Sequence, residues 1–272
     1  MNTLSTQQIA TLSNPAAQLT RNPKGLKFGP RIGFDQALKQ RVEEYFKTKG
    51  LAQRDCPRMY VKTAVILASF VAIYVLLVFF AAAWWQAVPL ALLLGLCTAA
   101  IGFNIQHDGG HGGYSKYHSV NKLAAITLDL IGGSSYIWAR KHNSLHHTYS
   151  NITGHDDDIN LGALGRLSPH QKRLRFHRLQ HFYLWLLYGF LPSKWHVYDD
   201  FHNLAIGRIG EHPFARPRGW DLVIFFGGKA VFFTVAWVIP MMFHPWWVVL
   251  GLYFAATYVL GLVLSVVFQL AH

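Results

Sequence analysis

Four long apolar stretches divide this chain into a polar tail, a first hairpin, a polar middle and a second hairpin. Between Lys62 and Asp108 there is no Asp, Glu, Lys or Arg, and the apolar positions run from Thr63 to Trp85 and again from Ala87 to Ile105. Each half reaches the roughly 20 residues that carry a helix across a bilayer. The same length recurs in Leu222 to Phe243 and Trp246 to Leu270, separated by His244-Pro245. Spans are therefore expected at about 63–84, 87–106, 221–243 and 246–270. The first turn is expected near Trp84-Trp85-Gln86 and Pro89, because indole rings favour the membrane interface and proline favours the first turn of a helix. The pattern predicts an all-α integral membrane protein, with four transmembrane helices as two hairpins and a helical cap between them.

The polar parts divide further. Residues 1–30 are rich in Ser, Thr, Asn and Gln, and Phe34, Leu38, Val42 and Tyr45 then mark one face of a short amphipathic helix through about Lys47. Residues 1–60 form an N-terminal tail in this reading, and 61–272 the main domain. In the middle, Leu123 to Trp138 is apolar but broken by Asp129 and Gly132-Gly133-Ser134-Ser135. Phe182 to Leu191 is too short to span. Both are expected at the membrane interface.

Charge sets the orientation. The 272 residues carry 25 Lys and Arg against 13 Asp and Glu, a net charge of +12, yet neither hairpin turn holds a Lys or Arg. The basic residues fall up to Lys62, and from Lys116 to Lys229. By the positive-inside rule the N-terminus and the middle segment are cytoplasmic, giving a multi-pass membrane protein. The excess of positive charge reports topology and suits anionic partners; nothing indicates a face for nucleic acid. Cys56 and Cys97 read as free thiols, and no removable signal peptide is evident.

The chemistry concentrates in His107-Asp-Gly-Gly-His111 and His142-Asn-Ser-Leu-His146-His147. Histidines four apart on a helix share a face, so each cluster can aim two imidazoles at one point, with His147 beside His146. Five nitrogen ligands exceed what one tetrahedral zinc needs, which brings in a second metal ion. A bland alternative is a basic interfacial histidine cluster. The glycines between His107 and Gly113 weaken helix propensity and predict an irregular helix end there. If Leu123 to Trp138 crossed the membrane, the two clusters would be separated by roughly 30 Å of hydrocarbon, and no shared site could form. Asp108, Asn143, Asp156 and Asp158 are candidates to orient the imidazoles by hydrogen bonds. Arg140 and Lys141 beside the second cluster could meet a substrate phosphate; Lys229, the odd ionisable residue of the third span, could snorkel, pair inside the bundle or meet a headgroup. His177-Arg-Leu-Gln-His181 has ligand spacing too, and reads as structural or surface.

With these boxes, followed by Asn151-x-x-Gly154-x-Asp156-x-Asp158 and enclosed by two hairpins, the chain resembles the integral-membrane fatty acid desaturases of the bacterial acyl-lipid or linoleoyl-CoA type. The resemblance covers most of the chain from about Phe34 onward. It implies two iron ions as cofactor and a reaction in which dioxygen and two electrons remove two hydrogens from an acyl chain. The substrate would be an acyl-CoA or an acyl-lipid, and no His-Pro-Gly-Gly haem motif is present, so a separate ferredoxin or cytochrome b5-like donor would supply the electrons. The implied ligands are His107, His111, His142, His146 and His147, with His272 at a further matching position. No Glu-x-x-His of soluble di-iron bundles occurs. The family's third box, x-x-His-His, would lie beyond His272, so the sequence reads as C-terminally truncated, and this fragment is expected to bind iron substoichiometrically and make no product. A hydroxylase of the same superfamily and a polytopic metal transporter are the alternative functions.

Overall fold

The computed structural model describes Leu26, Gly29 and residues 33–271. Four of its helices are long and apolar enough to cross a membrane: Pro57–Phe80, Trp84–Gly110, Trp220–Met241 and Trp246–Ala271. These first to fourth spans bear out the all-α membrane architecture. Among the described residues the β structure is a two-residue antiparallel hairpin, pairing Arg208 with Pro213 and Ile209 with His212.

The first turn falls earlier than the pattern suggests. It occupies Ala81 to Ala83, and Trp84 already opens the second span. Gln86 explains the shift, because its Oε1 accepts the N–H groups of Ala82 and Ala83 and so satisfies amides that a helix start leaves open. The first span likewise begins at Pro57. Proline is pre-organised for that position and has no N–H to orphan.

Small residues let the spans approach one another. A Cβ on Gly95 would collide with the carbonyl of Ala256, so the second and fourth spans meet there backbone to backbone. On the other side of the fourth span lies the cap helix Gln180–Lys194, seated by two more glycines. A Cβ on Gly189 would strike the Tyr258 ring, and one on Gly261 the Tyr188 carbonyl and Pro192. The Ser193 and Thr257 hydroxyls, 3.0 Å apart, satisfy each other in that seam. Polar contacts also join the first span to the third and to the turn after it: Tyr74 donates to the Val235 carbonyl at 2.8 Å, and the His244 ring reaches the Val78 carbonyl at 2.7 Å.

The packed core sits where the cap meets the spans. Ile101, Ile105, Tyr114, Ala124, Leu128, Ile131 and Trp138 join the end of the second span to the link helix His118–Leu130. A second cluster, Ile137, Leu145, Ile209, Phe214 and Phe225, joins the histidine segment to the hairpin and the third span. Asp55 adds a polar strap just before the first span. Its carboxylate accepts the Ser115 hydroxyl at 2.5 Å, the Lys116 N–H at 2.9 Å and the Tyr60 hydroxyl at 2.7 Å, and these bonds hold its pKa down to about 2.

The N-terminal helix Phe34–Lys49 forms as its periodicity predicts, and buries none of its residues. Phe34, Leu38, Val42 and Tyr45 stand exposed along one side.

Candidate metal centre

Local irregularity places the histidines. The second span widens into a π turn over Gly102–Gln106, then gives one short helical turn, His107–Gly110, ending at His111 and at Gly112 with φ +66°. The irregular helix end expected from the glycines is thus present. Its glycines also serve contact: a Cβ on Gly109 would strike Ala124 and the Asn121 carbonyl, and one on Gly110 would enter the Trp138 ring. The second box lies in another π turn, Ala139–His146, entered from Ser135–Trp138, whose N-terminus is capped by the Ser134 hydroxyl. Such wide turns concentrate at functional sites.

These segments bring the five predicted histidines into one cluster. His107, His111 and His142 hold ligand atoms within 4.8 Å of one another, and so do His142, His146 and Asp158. His142 belongs to both sets. His147 joins through its Nε2, 3.3 Å from His111 Nε2. Asn143 ties the boxes together by donating to the Gly110 carbonyl at 2.7 Å. His272 lies outside the described residues.

The electrostatics suit a metal. Burial pushes the His142 imidazolium form down, and burial with the crowding of His107, His142 and His147 lowers His111 to about 4. Both rings are therefore neutral near pH 7, the state in which imidazole ligates. His142 Nε2 is buried without a hydrogen-bond partner, a costly orphan unless it serves as a ligand. A set of imidazoles with one carboxylate fits a first-row transition ion better than magnesium or calcium, which prefer oxygen. The clusters can hold metal.

Carboxylates back the rings. Asp156, fully buried, faces His146 Nδ1 at 3.0 Å, while its oxygens accept the N–H groups of Asn151 and Asp158. Asp158 lies 3.5 Å from His146 Nδ1 and 3.9 Å from His142 Nδ1. Burial would raise Asp158, but Lys141 and His142 outweigh it and hold the carboxyl below its usual range. Burial works against the Lys141 ammonium in turn, and Asp158 with Asp157, at 3.1 and 3.2 Å, keeps it above the ordinary lysine range. Asp108 stands farther off, 3.7 Å from His107 Nδ1 and partly exposed.

Other sequence candidates separate. Arg140 is exposed. Lys229 is buried, with its ammonium bonded to Asp200 and two backbone carbonyls, the inward pairing among the three roles open to it. His177 is buried and saturated: Nδ1 accepts the Leu174 N–H and Nε2 donates to the Ala163 carbonyl at 2.8 Å. His181 is exposed.

Sequence reasoning passed over Trp138. Its ring stacks on His142 at 4.6 Å and packs edgewise on His107 and His111. Position 138 is four before His142, the same helical spacing that linked the histidines, so the signal was present. Phe268 closes the other side, 6.2 Å from the His142 ring. A cavity beside His107 is bounded by Phe103, Trp138, His196 and Phe268.

Comparison with known proteins gives the family. The fatty acid desaturase family model matches residues 82–272. The chain is 40% identical to an sn-1 linoleoyl-lipid 6-desaturase of Arthrospira platensis, covering 93% of this chain and 69% of the relative. It is 34% identical to the sn-1 linoleoyl-lipid 6-desaturase of Synechocystis sp., covering 91% and 69%. An acyl-lipid (8-3)-desaturase of Physcomitrium patens is 35% identical, covering 88% of this chain and 51% of its own length. No solved structure matches the chain.

Proposed function

Because this chain belongs to the fatty acid desaturase family and is a membrane oxidoreductase of that family, we propose that it holds two iron ions and desaturates an acyl chain carried on a membrane glycerolipid. The observation that carries this reading is the meeting of His107, His111, His142 and His146 in two overlapping ligand sets, with His147 against His111. An unactivated methylene has no acidic hydrogen, so proton transfer alone cannot start the reaction. Two irons, when bound, supply oxidising power from dioxygen and two electrons.

The chain's own residues do the rest. The five imidazoles, with His272 as a sixth proposed ligand, hold the metals, and Asp156 and Asp158 orient His146 and His142. Asn143 fixes one box against the other. Trp138 and Phe268 cover the rings with apolar surface and exclude water from the reacting position. The cavity beside His107 offers the acyl chain a route to them. A glycerolipid substrate is favoured over acyl-CoA because the relatives' names specify acyl-lipids. Arg140 would meet a lipid phosphate, a role that its exposure next to the second box supports. Asp108 supports His107 from the solvent side.

The desaturase domain in this reading begins with the first span, at Pro57 rather than 61, with N-terminus and histidine boxes on the cytoplasmic side of a bacterial inner membrane. The distribution of Lys and Arg supports that orientation. A separate ferredoxin or cytochrome b5-like protein delivers electrons there, matched to the basic cap by opposite charge.

Expression of the full-length protein in a host lacking the activity, followed by mass spectrometry of glycerolipid acyl chains, tests the reading. New double bonds that vanish in His142→Ala and His146→Ala are expected. Hydroxylated chains would indicate the hydroxylase, and metal flux into proteoliposomes without any lipid product would indicate a transporter.

A further inference from the structure

Lys229 lies about nine residues, ~13 Å of helical rise, inside the third span, and is 3% exposed. Each of its three donors has an acceptor: the Gly132 carbonyl at 2.6 Å, Asp200 Oδ2 at 2.8 Å and the His196 carbonyl at 3.3 Å. Gly132 follows the C-terminal end of the link helix, where carbonyls carry the negative end of the helix dipole. His196 belongs to a π turn, Trp195–Asp199, which extends the cap helix. Asp200, fully buried, spends its other oxygen on the Trp195 indole N–H at 2.8 Å. A buried charge without its partner is strongly unfavourable, so the ammonium and carboxylate hold each other in place. One point therefore ties the third span, the link helix and the cap helix together.

What the tie holds is the backbone carbonyl of His196, from which the side chain is carried into the bundle. Its Nδ1 lies 3.0 Å from the Tyr253 hydroxyl, and its ring packs edgewise on Phe232 at 4.6 Å. Burial, with Lys229 close by, pushes its pKa down to about 3, so the ring is neutral. His196 borders two cavities. One reaches His107 and Trp138; the other is an apolar space among the spans, bounded by Tyr74, Phe232 and Tyr253. Thr98, Ile131, His196 and Leu260 line both, and so stand between them.

An acyl chain has no polar handle along its methylenes, so beyond its headgroup contacts the shape of its channel fixes its register against the metal ligands. A displacement of about 1 Å is enough to spoil a reacting geometry. We propose that this boundary is the neck through which the acyl chain passes, that Lys229 and Asp200 are positioning residues that fix His196 there, and that His196 thereby determines which acyl carbons reach the histidine centre. The inference rests on the desaturase reading above.

The test uses the full-length protein in membranes of a defined host, with double-bond position in the glycerolipids read by mass spectrometry and bound iron measured alongside. The double variant Lys229→Met/Asp200→Leu removes both charges together, and His196→Leu alters the neck directly. Expected are iron content within twofold of wild type and products spread over neighbouring positions, at least a tenth of them displaced, with Lys229→Arg restoring the wild-type position. Lower yield at one unchanged position in both variants would show a merely structural role and overturn the proposal. If the double variant fails to fold, His196→Leu and Tyr253→Phe decide alone by the same criterion. If wild type makes hydroxylated chains, the desaturase reading fails, while the position of the hydroxyl still reports the register and tests His196.

Discussion

His146 Nδ1 faces Asp156 Oδ2 at 3.0 Å, and that carboxylate is fully buried. The same carboxylate accepts the N–H groups of Asn151 and Asp158. It therefore fixes both the ring of one ligand and the loop that carries Asp158. Partners of this kind set the tautomer and basicity of a ligating imidazole, and their loss typically costs ~10 to 100-fold in metal affinity. Asp156→Ala is expected to weaken iron binding by that factor, measured by iron titration of the purified protein. Affinity equal to wild type would mean that Asp156 only shapes the loop.

His177 offers the opposite case. His177→Ala leaves the Ala163 carbonyl and Leu174 N–H without their partner, an orphaning that costs about 1–3 kcal/mol. Its melting temperature should fall while iron content stays at the wild-type level. Loss of iron in step with His142→Ala would place His177 in the metal site.

Gly95 predicts where the bundle is least tolerant. Gly95→Val sets a branched side chain against the Ala256 carbonyl and forces apart the second and fourth spans, which carry His107 and Phe268. Size-exclusion chromatography should show aggregated protein, whereas Gly251→Val, at a position open on the fourth span, should elute as wild type.

Asp129 carries a pH dependence. Burial raises its pKa from 3.8 to about 6, opposed by hydrogen bonding at Ser135, with Asp200 raising and Lys229 lowering it. Its Oδ1 is buried without a partner. Between those values the folded chain keeps the proton and the unfolded chain has released it. Stability from this residue therefore falls as pH rises through the window, and the loss is complete above about pH 6. Asp129→Asn cannot titrate, so its stability relative to wild type should grow between pH 4 and 7 by up to about 3 kcal/mol. Thermal melts across that range check it; a constant difference would contradict a proton held at Asp129.

The spans and the histidine boxes were legible because each is written in local spacing. Twenty apolar residues need no partner to be recognised, and His107 with His111, or His142 with His146, share a face by helix geometry alone. Trp138 was legible by the same rule. The Lys229 to Asp200 pair was not, because 29 residues separate them and only the crossing of cap helix and third span brings them to 2.8 Å. Sequence left Lys229 with three roles, and the depth of Asp200 in the structure selects one. Likewise the turn at Ala81 to Ala83 depends on one side chain, Gln86, folding back on two amides, which hydropathy does not record. Asp55 escaped for a similar reason: its partners Ser115 and Lys116 lie beyond two spans in sequence.

The most direct test of the account is joint analysis of iron and product in the full-length protein. Purified from membranes and supplied with dioxygen, a reduced donor and glycerolipid, wild type should bind two irons and yield a new double bond, and His142→Ala, which removes the imidazole common to both ligand sets, should lose both together. Desaturation that persists in His142→Ala with bound iron unchanged would contradict the histidine centre described here.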